Sequence, residues 1–337
     1  MKKLKSLLIV FLLLLLCGCG KEENKDLNNN TNNNQNVETK KVTIVDLNSN
    51  ERPIAVMINN NKAARPQSGL TDAYLVYEIM VEGGITRMMA LYTQDATEEK
   101  IGSIRSSRHN YLDYVLENDA IYVHWGGSPK AYEDIDSLNI DNLDGMVYGG
   151  KYFVTDKNLN RSLEHTRFTS SNLIRDGIKK LKFKTTTDNG YLLNYTAETV
   201  NLAEKEDSKV ANKVTIKYSK YQTSSYEYNS EEQVYYRSMN GDAHTDLVTG
   251  EHYKFKNIIA YDVKYTSMDN KDRQDLSNVG SGEGVYITNG YSVPIKWTKE
   301  SRAGKTKYTY LDGTEIDVSD GNTFIQIYPT SGKLTIS

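Results

Sequence analysis

Between Lys100 and Phe183 the chain alternates strand-like and helix-like runs, and this alternation restricts the fold more than any other feature. Lys100–Arg105 reads as a strand. Ser106 or Ser107 is placed to cap a helix with the apolar stripe Tyr111, Leu112, Val115 and Leu116. AIYVH at 120–124 is a short buried strand, followed by Trp125, Gly126 and Gly127. Ser128 and Pro129 then supply an N-cap and a first helical position. Glu164–Phe168 leads into Thr169 and Ser170, a third capped start, and Leu173–Phe183 forms the next helix. Strand, helix, strand, helix is the order of a parallel α/β sheet.

Upstream, RPIAVMI (Arg52–Ile58) is another buried strand. The polar loop NNNKAARPQSG follows, with Arg65 and Gln67 as secondary candidates because long polar loops in compact domains are often functional. Leu75–Val81 and Ile85–Tyr92 are β-rich runs on either side of Gly83-Gly84, which predicts a hairpin with a two-residue loop. That register sets Glu82 opposite Ile85 and Met80 opposite Arg87. Glu78, Glu82 and Arg87 then share one face, and Leu75, Tyr77, Ile79 and Val81 point to the core. The face is either a solvated ladder of ion pairs or a carboxylate site tuned by Arg87.

Three times a strand or loop delivers Arg or His just before a helix start: Arg105 and Arg108, then His124, then His165 and Arg167. In a parallel α/β sheet these ends gather on one edge, where ligands bind. Helix N-termini carry partial positive charge, and guanidinium groups fit carboxylate and phosphate. The predicted ligand set is Glu78, Arg87, Arg105, Arg108, His124, Gly126, Gly127, His165 and Arg167, with Glu82 as candidate general acid. The ligand is an anion such as a diphosphate or a sugar-acid carboxylate.

The sequence holds no Walker A loop, no G-x-S-x-G elbow and no HExxH. The histidines at 109, 124, 165, 244 and 252 lack metal-ligand spacing, and Gly280–Gly284 reads as a turn rather than a dinucleotide loop. No metal or cofactor is expected. The net charge of −3 argues against a nucleic-acid partner.

The N-terminus states an address. Lys2, Lys3 and Lys5 precede an apolar run, Ser6–Leu16, too short to span a bilayer. Leu-Cys-Gly-Cys at 16–19 resembles a bacterial lipobox, with residues 1–18 removed and Cys19 lipidated. No thiol then remains for a disulfide or a thiolate metal site. The asparagine-rich stretch that completes 19–50 reads as a polar tether. The expected location is the outer face of the cytoplasmic membrane of a Gram-positive cell, held by the lipid anchor.

Beyond a charged break at Glu204–Ser208, short strands recur between turns such as Asn289-Gly290 and Asp312-Gly313. The predicted organisation is an α/β domain at 51–200 containing a mixed or parallel sheet with a hairpin, followed by an all-β domain at 209–337 of seven to nine strands. The 25 tyrosines against 6 phenylalanines fit either half-buried strand positions or exposed rings that stack on sugar.

RPIAVMINN, ARPQSGL, YEIMVEGGITR, IGSIRSSR and VHWGGSPKAY closely resemble the YerB-like family of bacterial lipoproteins, long classed as a domain of unknown function. GSGEGVYITNGYSVPIKW and GNTFIQIYP look like the family's second domain. The resemblance implies a two-domain envelope lipoprotein and assigns no catalytic residue. The order of motifs also loosely resembles LytR-type cell-wall phosphotransferases, with Asp72, Arg105, Arg108 and Gly126-Gly127 as the matching positions. Asn59-Asn60-Asn61 stands where that family has acidic residues, which puts metal binding in doubt.

Three readings follow. The first is an accessory lipoprotein that binds a cell-wall precursor, a glycan or a wall-synthesis protein. The second is a wall-polymer enzyme, either glycan-cleaving through Glu82 or a phosphotransferase using Arg105 and Arg108. The third is a receptor for a soluble ligand.

Overall fold

IAVMIN is buried at all six positions, as expected of a strand covered on both faces. It forms β1 (Ile54–Asn59) in a computed structural model that describes residues 40–337. Cys19, the apolar leader and the first part of the tether lie outside the described residues. Next come β2 (Leu75–Met80), β3 (Thr86–Tyr92), β4 (Ile121–His124) and β5 (Asn142–Asp144). The helices are α1 (His109–Glu117), α2 (Pro129–Ser137), α3 (Gly145–Tyr148) and α4 (Ser171–Leu181). β1 lies antiparallel to β3 and parallel to β4, and β4 is parallel to β5. The first half is therefore the expected mixed α/β sheet with a hairpin. One predicted strand is displaced. Of Lys100–Arg105 only Ile101–Gly102 is a strand, and it pairs outside this sheet with Arg167–Thr169.

The second half adds β6 (Asn257–Val263), β7 (Gly280–Thr288), β8 (Tyr291–Lys299) and β9 (Thr323–Pro329). β9 is inserted between β6 and β2, parallel to both, so one sheet of eleven strands runs through both halves. Gly280–Gly284 belongs to β7 rather than to a turn. A Cβ on Gly282 would come within 2.6 Å of the Trp297 indole, so this strand position has room only for glycine.

A second, six-stranded sheet is built from Lys213–Lys217, Thr223–Asn229, Val234–Met239, Asp242–Ala243, Lys254–Phe255 and Lys333–Ile336. It packs over the face of the large sheet that carries Val76, Met88, Ile258 and Phe324. α4 covers the same face farther along, through Ile174 and Ile178. The opposite face, with Tyr77, Ile79 and Met89, is covered by Tyr111, Leu112 and Val115 of α1.

Tyr77, Tyr111, Tyr122, Tyr218, Tyr226 and Tyr286 are among the largest fully buried side chains. Their hydroxyls find interior partners, such as Glu117 for Tyr77 and Ser107 for Tyr122. Most of the tyrosine surplus therefore fills the core. The stretch expected to be tether up to residue 50 is packed from Val42 onward. Val42 and Val45 are buried, and the Thr43 and Ile44 amides both donate to the Asp320 carboxylate.

Candidate anion site

β1, β4 and β5 run in the same direction, so their C-terminal ends, Asn59, His124 and Asp144, share one edge of the sheet. The segment Ile104–Arg108 is threaded across that edge. The Arg105 amide donates to the Met57 carbonyl, the Trp125 amide to Arg105, and the Ser107 amide to Gly126. Arg108 is the N-cap of α1 and lends it no side-chain bond. The expected cap at Ser106 or Ser107 is thus one or two residues early. Ser128 and Ser170 cap α2 and α4 through their side chains, as predicted.

The β2–β3 turn differs from its prediction. Glu82, Gly83 and Gly84 form a three-residue turn, with Gly83 and Gly84 at φ +70 and +71, so Ile79 rather than Met80 faces Arg87. This one-residue shift moves Glu78 to the other face of the sheet. The Glu78 expected beside Arg87 is instead fully buried against the six-stranded sheet. There it accepts hydrogen bonds from Asn60, Thr86, Ser224, Arg237 and Gln326. Burial raises its carboxyl, but Arg237 and these donors outweigh burial and hold it below the usual carboxylate range. Gln67 and His244 close the same network. His244 Nδ1 accepts from Arg237, and Nε2–H donates to Gln67 Oε1 at 3.0 Å. Arg65 also faces inward, donating to the Asn60 carbonyl and to Gln222.

At the edge itself three guanidinium groups meet. Arg87 is only 6% exposed and donates to the Ser106 carbonyl. Burial and the Arg108 charge push it down to about 9, against the opposing pull of Glu82; Arg105 pushes the same way as Arg108. Arg108 holds Glu82 with Nε–H donating to both carboxylate oxygens, at 2.8 and 3.0 Å, and with Nη2. Burial acts to raise Glu82, but the bonds from Arg108 and the charge of Arg87 leave it below the usual range. A general acid must stay protonated near neutral pH. The role expected for Glu82 is therefore contradicted by its environment, which makes it a counterion.

Arg105 bonds Glu164, whose side chain is 50% exposed. Beside them His165 Nδ1 accepts from Asn59 Nδ2–H at 2.9 Å, which leaves the ring proton on Nε2, 3.8 Å from Glu164 Oε1. Burial lowers the His165 pKa, with the Arg105 and Arg161 charges adding to it and Glu164 opposing, so the ring is neutral at pH 7. Arg167 lies 4.4 Å above the Trp125 ring. Ile104, Arg105, Trp125, Leu163, Glu164 and Arg167 line a recess of about 300 Å³.

Of the predicted ligand residues, Arg87, Arg105, Arg108, His165 and Arg167 are brought together, with Glu82 among them. His124 is not available to a ligand. It is fully buried, stacked 4.8 Å from Tyr122, and hydrogen-bonded through Nδ1 to the Gly126 carbonyl. Gly126 has φ +75 and receives the Ser107 amide, so it braces the Arg105–Arg108 turn; Gly127 packs on Tyr132. Asp72 lies before β2, whereas Glu82 follows it. Six strand residues at roughly 3.3 Å each keep Asp72 well away from Arg108. Asp72 lines a different recess, with Thr97 and Asp95.

Asn59, Trp125 and Glu164 complete the edge and were absent from the predicted set. Each sits beside a residue that was in it or at a strand end, which is the signal that could have found them. Among the described residues no group of three or more His, Cys, Asp or Glu could hold a metal ion.

Fold and edge together define an α/β protein with a cationic site at the C-terminal ends of parallel strands, continuous with a β-rich second half. The chain belongs to the family described as "Protein of unknown function (DUF3048)". The family's N-terminal domain matches residues 41–184 and its C-terminal domain residues 214–325. It is 29% identical over 293 residues to "Putative lipoprotein YerB" of Bacillus subtilis (strain 168), covering 86% of this chain and 85% of that one. The crystal structure of YerB from Bacillus subtilis superposes with a TM-score of 0.73 at 27% identity, covering 85% of this chain and 94% of that one. Among the described residues no helix is long and apolar enough to cross a membrane.

Proposed function

We propose that this protein is a lipid-anchored binding protein on the outer face of the cytoplasmic membrane, and that the Arg87–Arg105–Arg108 edge takes the anionic group of a cell-wall precursor or glycan, alone or presented by a wall-synthesis protein. One observation carries this reading. Three guanidinium groups share the edge with two carboxylates, Glu82 and Glu164, and Arg87 is pushed below its ordinary value first by burial and then by the Arg108 and Arg105 charges, against the pull of Glu82. An arriving phosphate or carboxylate relieves that repulsion and accepts from guanidinium donors already fixed in place. The Nε2–H of His165 and the positive end of α1 add to the same field.

The glycan-cleaving alternative loses its acid because Glu82 is held ionised. The phosphotransferase alternative keeps its arginines but has Asp72 at the far end of β2. The test is to incubate residues 40–337 with isolated peptidoglycan and inorganic diphosphate, with Arg105→Ala alongside. Wild-type protein should pellet with the wall and bind diphosphate without releasing fragments, and Arg105→Ala should lose about 1.5–3 kcal/mol of affinity. Released soluble fragments, or unchanged affinity in the variant, would overturn the proposal.

A further inference from the structure

The cationic edge does not stand alone. Twelve large apolar side chains are exposed among the described residues, and five of them, Tyr132, Met146, Val147, Val154 and Leu163, come from the segments around this edge. Met146, Val147, Val154 and Leu163 are 66, 69, 54 and 61% exposed. Their positions are tied to the arginines. Leu163 lines the same recess as Arg105 and Arg167. Thr155 receives the Arg167 guanidinium, and Val154 before it pairs with Phe168 on the other face of that short strand. Met146 lies 3.4 Å from where a Gly126 side chain would be, and Gly126 braces the Arg105–Arg108 turn. Trp125 is gripped between Gly145 and Gly149 on one side and the Arg167 guanidinium on the other.

A small soluble anion uses the guanidinium groups and leaves these apolar tips without a role. Exposed apolar side chains gathered in one place mark a binding surface. A molecule with an anionic head and a hydrocarbon tail uses both parts at once. We propose that the occupant of the edge is a lipid with an anionic, phosphate-bearing headgroup. The head is held by Arg87, Arg105 and Arg108, and the first methylenes of the tail lie along Trp125, Leu163 and Met146. The inference rests on the anion reading given above and adds the class of molecule that carries the anion. It also fits a lipoprotein, whose anchor keeps the folded part next to a supply of such molecules.

The test uses residues 40–337, which carry both hydrophobic clusters of the described residues. Three probes are titrated calorimetrically: monododecyl phosphate below its critical micelle concentration, inorganic phosphate, and dodecyl maltoside. Dodecyl phosphate should bind at least tenfold tighter than inorganic phosphate, and dodecyl maltoside should bind far more weakly than either. Met146→Ser with Leu163→Ser, both at exposed positions, should bring the two phosphate affinities together. Arg105→Ala should weaken both phosphates.

Equal affinity for phosphate and dodecyl phosphate would overturn the lipid proposal and leave the anion reading standing. Dodecyl maltoside binding as tightly as dodecyl phosphate would also overturn it, because the head would then carry no selectivity. If neither phosphate binds, both readings fall. A change in oligomeric state with the serine pair, without a change in the affinity ratio, would assign the apolar rim to a second copy of the chain and overturn the lipid.

Discussion

Glu78 Oε2 lies 2.7 Å from Arg237 Nη2, and both side chains are completely buried. The carboxylate comes from β2 and the guanidinium from the six-stranded sheet, so the pair fastens the two layers across the interior. Removing one member of a buried pair strands the other charge away from water, which costs roughly 3–5 kcal/mol. Glu78→Gln and Arg237→Met should each lower unfolding stability by about that much in urea titrations. A loss below about 1 kcal/mol in both would show the pair to be expendable.

The same pair gives a pH dependence of known sign. The Glu78 carboxyl is held below its ordinary value in the folded state, so its contribution is present above the unfolded carboxylate pKa of 4.5 and is lost as pH falls through the folded value. Wild-type protein should lose stability on acidification below about pH 4.5 more steeply than Glu78→Gln. Parallel curves for the two proteins would contradict this.

Glu98 has the opposite sign. Burial, with Asp72 beside it, pushes its carboxyl up to about 7 from 4.5. The folded chain holds that proton more tightly, so the favourable contribution is complete below pH 4.5 and is lost as pH rises through 7. Melting temperatures measured between pH 5 and pH 8 should fall for wild type and stay flatter for Glu98→Gln. A variant with an unaltered slope would place the titration on another group.

At the cationic edge, Glu82 competes with any incoming anion for Arg108. Glu82→Gln removes that competition and should tighten diphosphate binding by about 1 kcal/mol, roughly fivefold. Weaker binding in the variant would show that Glu82 takes part in holding the ligand.

Gly145 is set by its contact with Trp125. A methyl group there would lie 2.1 Å from Trp125 Cε3, so Gly145→Ala should cost about 1–3 kcal/mol and weaken anion binding by moving the ring on which Arg167 rests. Denaturation and phosphate titration on one sample read both effects, and an alanine variant as stable as wild type would remove Gly145 from this role.

Local signals were readable in the sequence and long-range ones were not. Ser128-Pro129 and Ser170 announce their helices because the cap bond is made within three residues. Arg105, Arg108, His165 and Arg167 are brought together, but not as ends of parallel strands: Ile101–Gly102 and Arg167–Thr169 pair in a separate small sheet, and Arg105–Ser107 is laid across the ends of β1 and β4. Glu78 lies one residue of hairpin register away from its expected face, since Glu82-Gly83-Gly84 turns with three residues where Gly83-Gly84 alone suggests a two-residue loop. His124 differs from its expected role because its neighbourhood is supplied by Tyr122, Asn142 and Asp144, and sequence position alone does not show that these shut it away from solvent. The junction of the two halves was invisible, because β2 and β9 meet across almost 250 residues of intervening chain.

That junction has a consequence for how the chain is made. β2 is among the first strands along the chain and β9 among the last, so one edge of β2 stays without its hydrogen-bonding neighbour until Thr323–Pro329 is available to fold. During that interval the nascent first half presents an unpaired, apolar strand, LVYEIM, of the kind that invites pairing with another chain. It also lacks Arg237, so the Glu78 carboxylate has no cation beside it. A chain cut short before Thr323 should therefore give an aggregating fragment rather than a smaller folded protein.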